Sequence, residues 1–255
     1  MSARYTLRVP ASSAELRQVI DELNALADPK RALGVARFFK TGQGQYGEGD
    51  RFLGIYVPEI RRVTARHKHL SLKDCAELLR SEWHEHRLSA LVILVSQFEV
   101  ADEPERERIF KLYLRSKKSI NNWDLVDASA PGILGRYLQD KPRHLLYEMA
   151  RSQSLWGRRM AIVSTLAFIR TGDLQDAFGI SELLLDDEHD LLHKAVGWML
   201  REAGKQDANA LLKFLKGHYD RLPRTALRYA IERFPKEARQ SMLRGRFQVL
   251  ETPAK

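Results

Sequence analysis

Helical segments recur along this chain at a nearly constant step, and no other feature constrains the fold as tightly. The start of HRLSALVILV at Arg87 aligns with NWDLVDASAP at Trp123. The series continues with RRMAIVSTLAFI at Arg159, HKAVGWMLRE at Lys194 and ALRYAIERF at Arg228. The steps are 36, 36, 35 and 34 residues. A single helix pair cannot bury its own apolar face, so pairs repeated at this spacing stack on their neighbours as an α-solenoid.

Strand signals are scarce, and apolar residues fall almost everywhere at helical spacing. The spacing predicts helices over 13–26, 31–40, 58–68, 72–81, 84–99, 103–116, 142–152, 157–171, 173–186, 189–204, 207–219, 223–234 and 236–245. Ser71 and Asp173 are expected N-caps. Pro58, Pro142, Pro223 and Pro235 lie near helix starts, where a missing N–H costs little. Segment 120–139 reads as helix on both sides of Pro131, which is expected to kink or break it. The run TGQGQYGEGD at 41–50 is a glycine-rich loop. It is not a phosphate-binding P-loop, because no Gly-Lys-Ser/Thr follows and no strand precedes it. The tetratricopeptide pattern of Trp, Leu-Gly and Tyr is absent. The expected fold class is therefore all-α, a curved α-solenoid of HEAT-like helix pairs. It forms one domain over 1–255, with its clearest repeats at 83–234.

Hydrophobic residues make up 44% of the 255, enough for a packed core. Cys75 is the only cysteine, so neither a disulfide framework nor a cysteine zinc cluster can form, and a reducing cytoplasm is expected. The N-terminal stretch MSARYTLRVPASSAELRQ has no apolar signal region, and no apolar run is long enough to span a membrane. The net charge of +9 and the pI near 9.7 make nucleic acid a candidate partner.

The positions of the charges narrow that reading. If the aligned helices line a concave face, Arg87, Arg159, Lys194 and Arg228 place four cations there beside Trp123. Such a trough suits a duplex backbone, because neutralised phosphates release counterions. Surface ion pairing is the competing explanation. It is weaker for Arg158 and Arg159 and for Arg224 and Arg228, which have few acids nearby in sequence. Three of the four tryptophans, Trp123, Trp156 and Trp198, fall on these helices, and Trp83 reads as a packing residue. Asp127 lies four residues after Trp123, on the same helical face. No lysine or arginine stands within seven residues of it on either side. Its partner must come from another helix, with Arg159 the leading candidate, or from a ligand. Asp124 reads as a local cap or salt-bridge partner, and Trp156 as inter-repeat packing.

In this order and spacing, NWDLVDASAP, LWGRRMAIV, HKAVGWMLREAGK and LPRTALRYAIERF resemble the AlkD-type DNA alkylation repair glycosylases. The resemblance runs from about Trp83 to Phe234, with a weaker match in FLGIYVPEIRR. It implies a HEAT-like fold holding duplex DNA, and excision of N3- and N7-alkylated purines as base excision repair. By the same resemblance, Asp127 matches the catalytic aspartate, Trp123 and Trp198 the tryptophans against the lesion's deoxyribose, and Arg159 an arginine at the backbone. Arg158, Lys194, Arg87, Arg224 and Arg228 complete the expected DNA-binding set. No cofactor or metal is implied; the partner is double-stranded DNA containing alkylated purines, and the protein is expected to be a monomer. Asn122 departs from the pattern by replacing an aromatic that precedes the tryptophan in some relatives.

Other chemistry is poorly supported. His67, His69, His84 and His86 form two His-x-His pairs, expected to be solvated rather than metal-binding. There is no nucleophile elbow for Ser-His-Asp catalysis. A non-catalytic DNA-binding HEAT module and a protein-binding scaffold remain as alternatives that share the fold.

Overall fold

A computed structural model describes residues 13–247. The chain is helical, without a strand among the described residues; a lone bridge joins Arg51 to Trp83. Contacts group it into two compact units that meet in sequence between Val100 and Ala101.

The first unit contains α1 (Ala14–Ala25), α2 (Pro29–Phe38), α3 (Val57–Arg66), α4 (Leu72–Leu79) and α5 (His84–Val100). α3 and α4 pack on α5, and α1 packs on α3. Leu16, Val19, Leu23, Ile60, Val63, Leu78, Leu91 and Leu94 fill the space between them. Ser71 caps α4 through the Asp74 N–H, as expected. α5 is buried around most of its circumference and carries its charge inward. The Glu85 carboxylate accepts the N–H groups of Leu53, Gly54 and Ile55, which ties the segment before α3 to this helix. Gly54 sits at φ +83°, and a Cβ there would meet the Asp28 carbonyl oxygen at 2.4 Å. Only glycine allows that turn and that approach together. The glycine-rich 41–50 stretch is a series of turns in which Gln45 and Glu48 side chains accept loop N–H groups.

The second unit contains α6 (Glu103–Arg115), α7 (Trp123–Ser129), α8 (His144–Ala150), α9 (Leu155–Ser164), α10 (Leu166–Ile169), α11 (Gln175–Leu183), α12 (Asp190–Gln206), α13 (Ala208–Gly217), α14 (Arg224–Ala230) and α15 (Lys236–Met242). The sequence period appears here as packing. α7 lies against α9, α9 against α12, and α12 against α14. The intervening helices α8, α11 and α13 pack on the members of this row. Gly197 permits the approach of α12 to α14, since a Cβ there would lie 2.5 Å from the Ala226 carbonyl oxygen.

Ion pairs also follow the period. Arg143 reaches Asp173 and Asp176, Arg158 reaches Asp187, Arg221 reaches Asp186, and Arg201 reaches Glu232. Each joins residues 29 to 35 apart, about one repeat.

One local expectation holds in its stronger form and two shift. Pro131 does not merely kink its helix: α7 ends at Ser129 and Pro131–Gly135 forms a π-helical turn, closed by the Gly135 N–H on the Ala130 carbonyl at 2.9 Å. Proline has no N–H for the carbonyl of residue 127, so the α-helical ladder stops there. The expected 157–171 helix divides into α9 and α10 at Thr165. The Ser164 and Thr165 hydroxyls bond back to the Met160 and Ile162 carbonyls, which bends a helix at such a pair. Asp173 stands one residue before the cap position of α11. It accepts the Gln175 N–H, and its other oxygen holds Arg143.

Candidate active site

The short helix α7 carries the candidate acid. Asn122 starts it, its Oδ1 accepting the Trp123 N–H at 2.8 Å from a fully buried position. An aromatic could not make that bond. Asp124 serves the same turn by accepting the Leu125 N–H. Leu125, Val126 and Ser129 face inward, and Ser129 bonds the hydroxyl of the fully buried Tyr113 on α6 at 3.0 Å. Trp123 and Asp127, one turn apart, are both half-buried at the edge of this packing.

The partner of Asp127 is Arg159 on α9, 32 residues away. The guanidinium grips the carboxylate with two hydrogen bonds, Nε to Oδ1 at 2.9 Å and Nη2 to Oδ2 at 2.7 Å. Its third nitrogen, Nη1, donates to the Leu191 carbonyl in the first turn of α12. Arg159 therefore joins α7, α9 and α12. The Arg159 side chain is 6% exposed, whereas that of Asp127 is 19% exposed. Burial pushes the Asp127 carboxyl above its ordinary pKa, and the two bonds from Arg159 oppose that rise. A carboxylate offers roughly four lone-pair sites. Arg159 occupies one on each oxygen and leaves an accessible edge.

Further along α12, Lys194 pairs with Asp190 at 2.7 Å, and Asp190 also accepts the Thr225 hydroxyl. Trp198 is half-buried one turn beyond Lys194. It follows Leu191 by seven residues, or about 10 Å along the same helical face. Arg159 thus links Asp127 to the first turn of α12, the helix that carries Trp198 further along.

The expected DNA-binding residues divide by environment. Arg224 and Arg228 are exposed on α14, and neither has an acidic partner among the described residues. Arg158 is held by Asp187 and by the Ser152 and Gln153 carbonyls. Arg87 corrects the sequence expectation. It lies in the first unit with its side chain 6% exposed, bonded to Asp50 at 2.6 Å and to the Ser81 and Glu82 carbonyls. A phosphate could reach it only by breaking that pair. Arg159 is likewise buried, with its guanidinium turned to Asp127.

The histidine pairs also differ from expectation. His67, His84 and His86 are buried rather than solvated, with partners in Glu22, Asp50 and Ser81, and only His69 is exposed. Among the described residues, no group of three or more His, Cys, Asp or Glu comes together to hold a metal. Cys75 is buried, and desolvation pushes its thiol up to about 12. Sequence reasoning missed the Leu191 carbonyl, because a backbone acceptor leaves no residue-type signal.

Residues 19–234 match the family model described as DNA alkylation repair enzyme. A solved structure described as a predicted DNA alkylation repair enzyme from Enterococcus faecalis superposes with a TM-score of 0.63 at 17% identity. That match covers 82% of this chain and 97% of the other, and it shows the fold. No curated protein matches significantly.

Proposed function

The chain belongs to the DNA alkylation repair enzyme family, and from that premise we propose that it is a monofunctional glycosylase acting on N3- and N7-alkylated purines in duplex DNA. One observation carries the reading: a carboxylate gripped through both oxygens by a buried arginine stays partly exposed, one helical turn after a tryptophan.

Alkylation at N3 or N7 makes the purine cationic, so it leaves with the glycosidic electron pair and needs no general acid. Positive charge then grows on the sugar. The free lone pairs of Asp127 stabilise that charge and orient the attacking water. Water oxygen bonds to C1′ as the C–N bond breaks, and the water proton passes to Asp127 and then to solvent. The products are the neutral alkylpurine and an abasic site. Arg159 keeps Asp127 ionised and fixes its direction, since a bidentate pair restricts rotation more than a single contact does. Trp123 and Trp198 pack on the sugar, where indole faces favour positive charge by about 0.5–2 kcal/mol each. Arg224, Arg228 and Lys194 serve the flanking phosphates.

The decisive experiment is release of 7-methylguanine from N-methylated duplex DNA by the wild type and by Asp127→Asn. The wild type releases the base and the variant is strongly slowed. Equal rates would remove Asp127 from the chemistry, and no release by either would leave a binding module.

A further inference from the structure

α2 is the one helix among the described residues that buries no side chain. Its ends hold it in place. The Asp28 carboxylate accepts the Lys30 and Arg31 N–H groups, Pro29 sits at the first position, and Gly54 lets the 53–55 segment approach the Asp28 and Ala32 backbone. Just past its end, Phe39 stacks on Phe52. One face is left open. Lys30, Leu33, Gly34, Arg37 and Phe38 are all exposed, with Leu33 at 67% and Phe38 at 66%. Their spacing of i, i+3, i+4, i+7 and i+8 makes a single stripe. The stripe mixes two cations with two large apolar side chains, and the chain has no acidic residue from Pro29 to Gly47.

Gly34 adds a second observation. It costs a helix interior roughly 1 kcal/mol against alanine. Yet nothing lies within 4 Å of where its Cβ would be, and its φ is not in the left-handed region. The fold does not require glycine there. A partner brought close to the helix backbone would.

We propose that α2 is a second duplex-docking face, binding undamaged DNA without sequence preference. This rests on the reading of the chain as a DNA-binding repair protein, but not on Asp127. Lys30 and Arg37, about 10 Å apart along the axis, meet phosphates. Leu33 and Phe38 pack on the sugar edges between them. Gly34 lets the strand come close. Charge complementarity selects a polyanion, and the family supplies DNA as the one this chain meets.

The test uses the full chain and an unmodified duplex, with affinity measured across a salt series. Each neutralised phosphate contributes about 0.9 to the slope of log affinity against log salt. Lys30→Ser with Arg37→Ser is expected to lower the slope by about 2, and Leu33→Ser with Phe38→Ser to weaken binding several-fold. Gly34→Ala should raise the melting temperature, whereas Gly34→Glu should weaken binding with the fold intact. Unchanged affinity and slope overturn the proposal. So does an effect confined to binding of anionic phospholipid vesicles, or to self-association in sedimentation. Base release reports separately on Asp127, so duplex binding through α2 without excision would defeat the glycosylase reading alone.

Discussion

Arg87 and Arg159 stand at equivalent points of the sequence repeat, and each is paired with an aspartate. Asp50 and Arg87 are shut in together, at 3% and 6% exposure, with the His84 ring 3.4 Å from the second carboxylate oxygen. Asp127 and Arg159 are held by two hydrogen bonds, but the acid keeps 19% exposure. In the first pair both members serve the fold, since a buried ion can persist only with its partner. In the second the arginine serves the fold and the acid retains an unoccupied side. The same two residue types thus act as a strut in one unit and as a presented carboxylate in the other.

The contrast can be broken experimentally. The largest effect is expected from Asp50→Ala. It strands Arg87 in the interior and should cost about 3–5 kcal/mol in urea unfolding, with excision per folded molecule preserved. A loss under 1 kcal/mol would mean that the pair is not a strut. Asp127→Asn should behave in the opposite way. It should slow excision by about 100- to 1000-fold with a much smaller stability change, because asparagine still offers Arg159 one acceptor. Arg159→Met sharpens the distinction through pH. Excision requires ionised Asp127, so activity falls as pH drops through its pKa, which burial already holds above the ordinary value. Removing the two bonds that oppose this shift should move the acid limb to still higher pH. An unmoved limb would show that another group controls it. The smallest effect is expected at the periphery. Arg228→Ser should leave excision at saturating enzyme unchanged and reduce the salt slope of duplex binding by about 0.9. A reduction from Arg87→Ser in a still-folded chain would contradict its assignment as internal.

Much of this was legible in the residues. The steps from Trp123 to Arg159, Lys194 and Arg228 correspond to the row α7, α9, α12 and α14. The lack of any cation near Asp127 in sequence correctly directed attention to Arg159. Arg87 shows where periodicity stops being informative. It fixes which helix carries a residue, but its environment was decided by Asp50, 37 positions away at the end of a glycine-rich loop. His67 and His84 failed for the same reason, since their partners Glu22 and Asp50 lie 45 and 34 positions away. α2 forms where helical spacing places a helix, and none of its side chains is fully buried. The break at Thr165 depends on hydroxyl bonding to the preceding turn, a competition that propensity alone does not resolve.

The ionic links set one repeat apart have a mechanical consequence. Arg143, Arg158, Arg201 and Arg221 each fasten one repeat of the second unit to the next. A rise in ionic strength weakens the more exposed clasps first, so the unit can loosen one seam at a time. Proton exchange at backbone amides would then rank the seams, with the exposed Asp186–Arg221 seam opening ahead of the α7–α9 seam, where Arg159 grips Asp127 from a buried position.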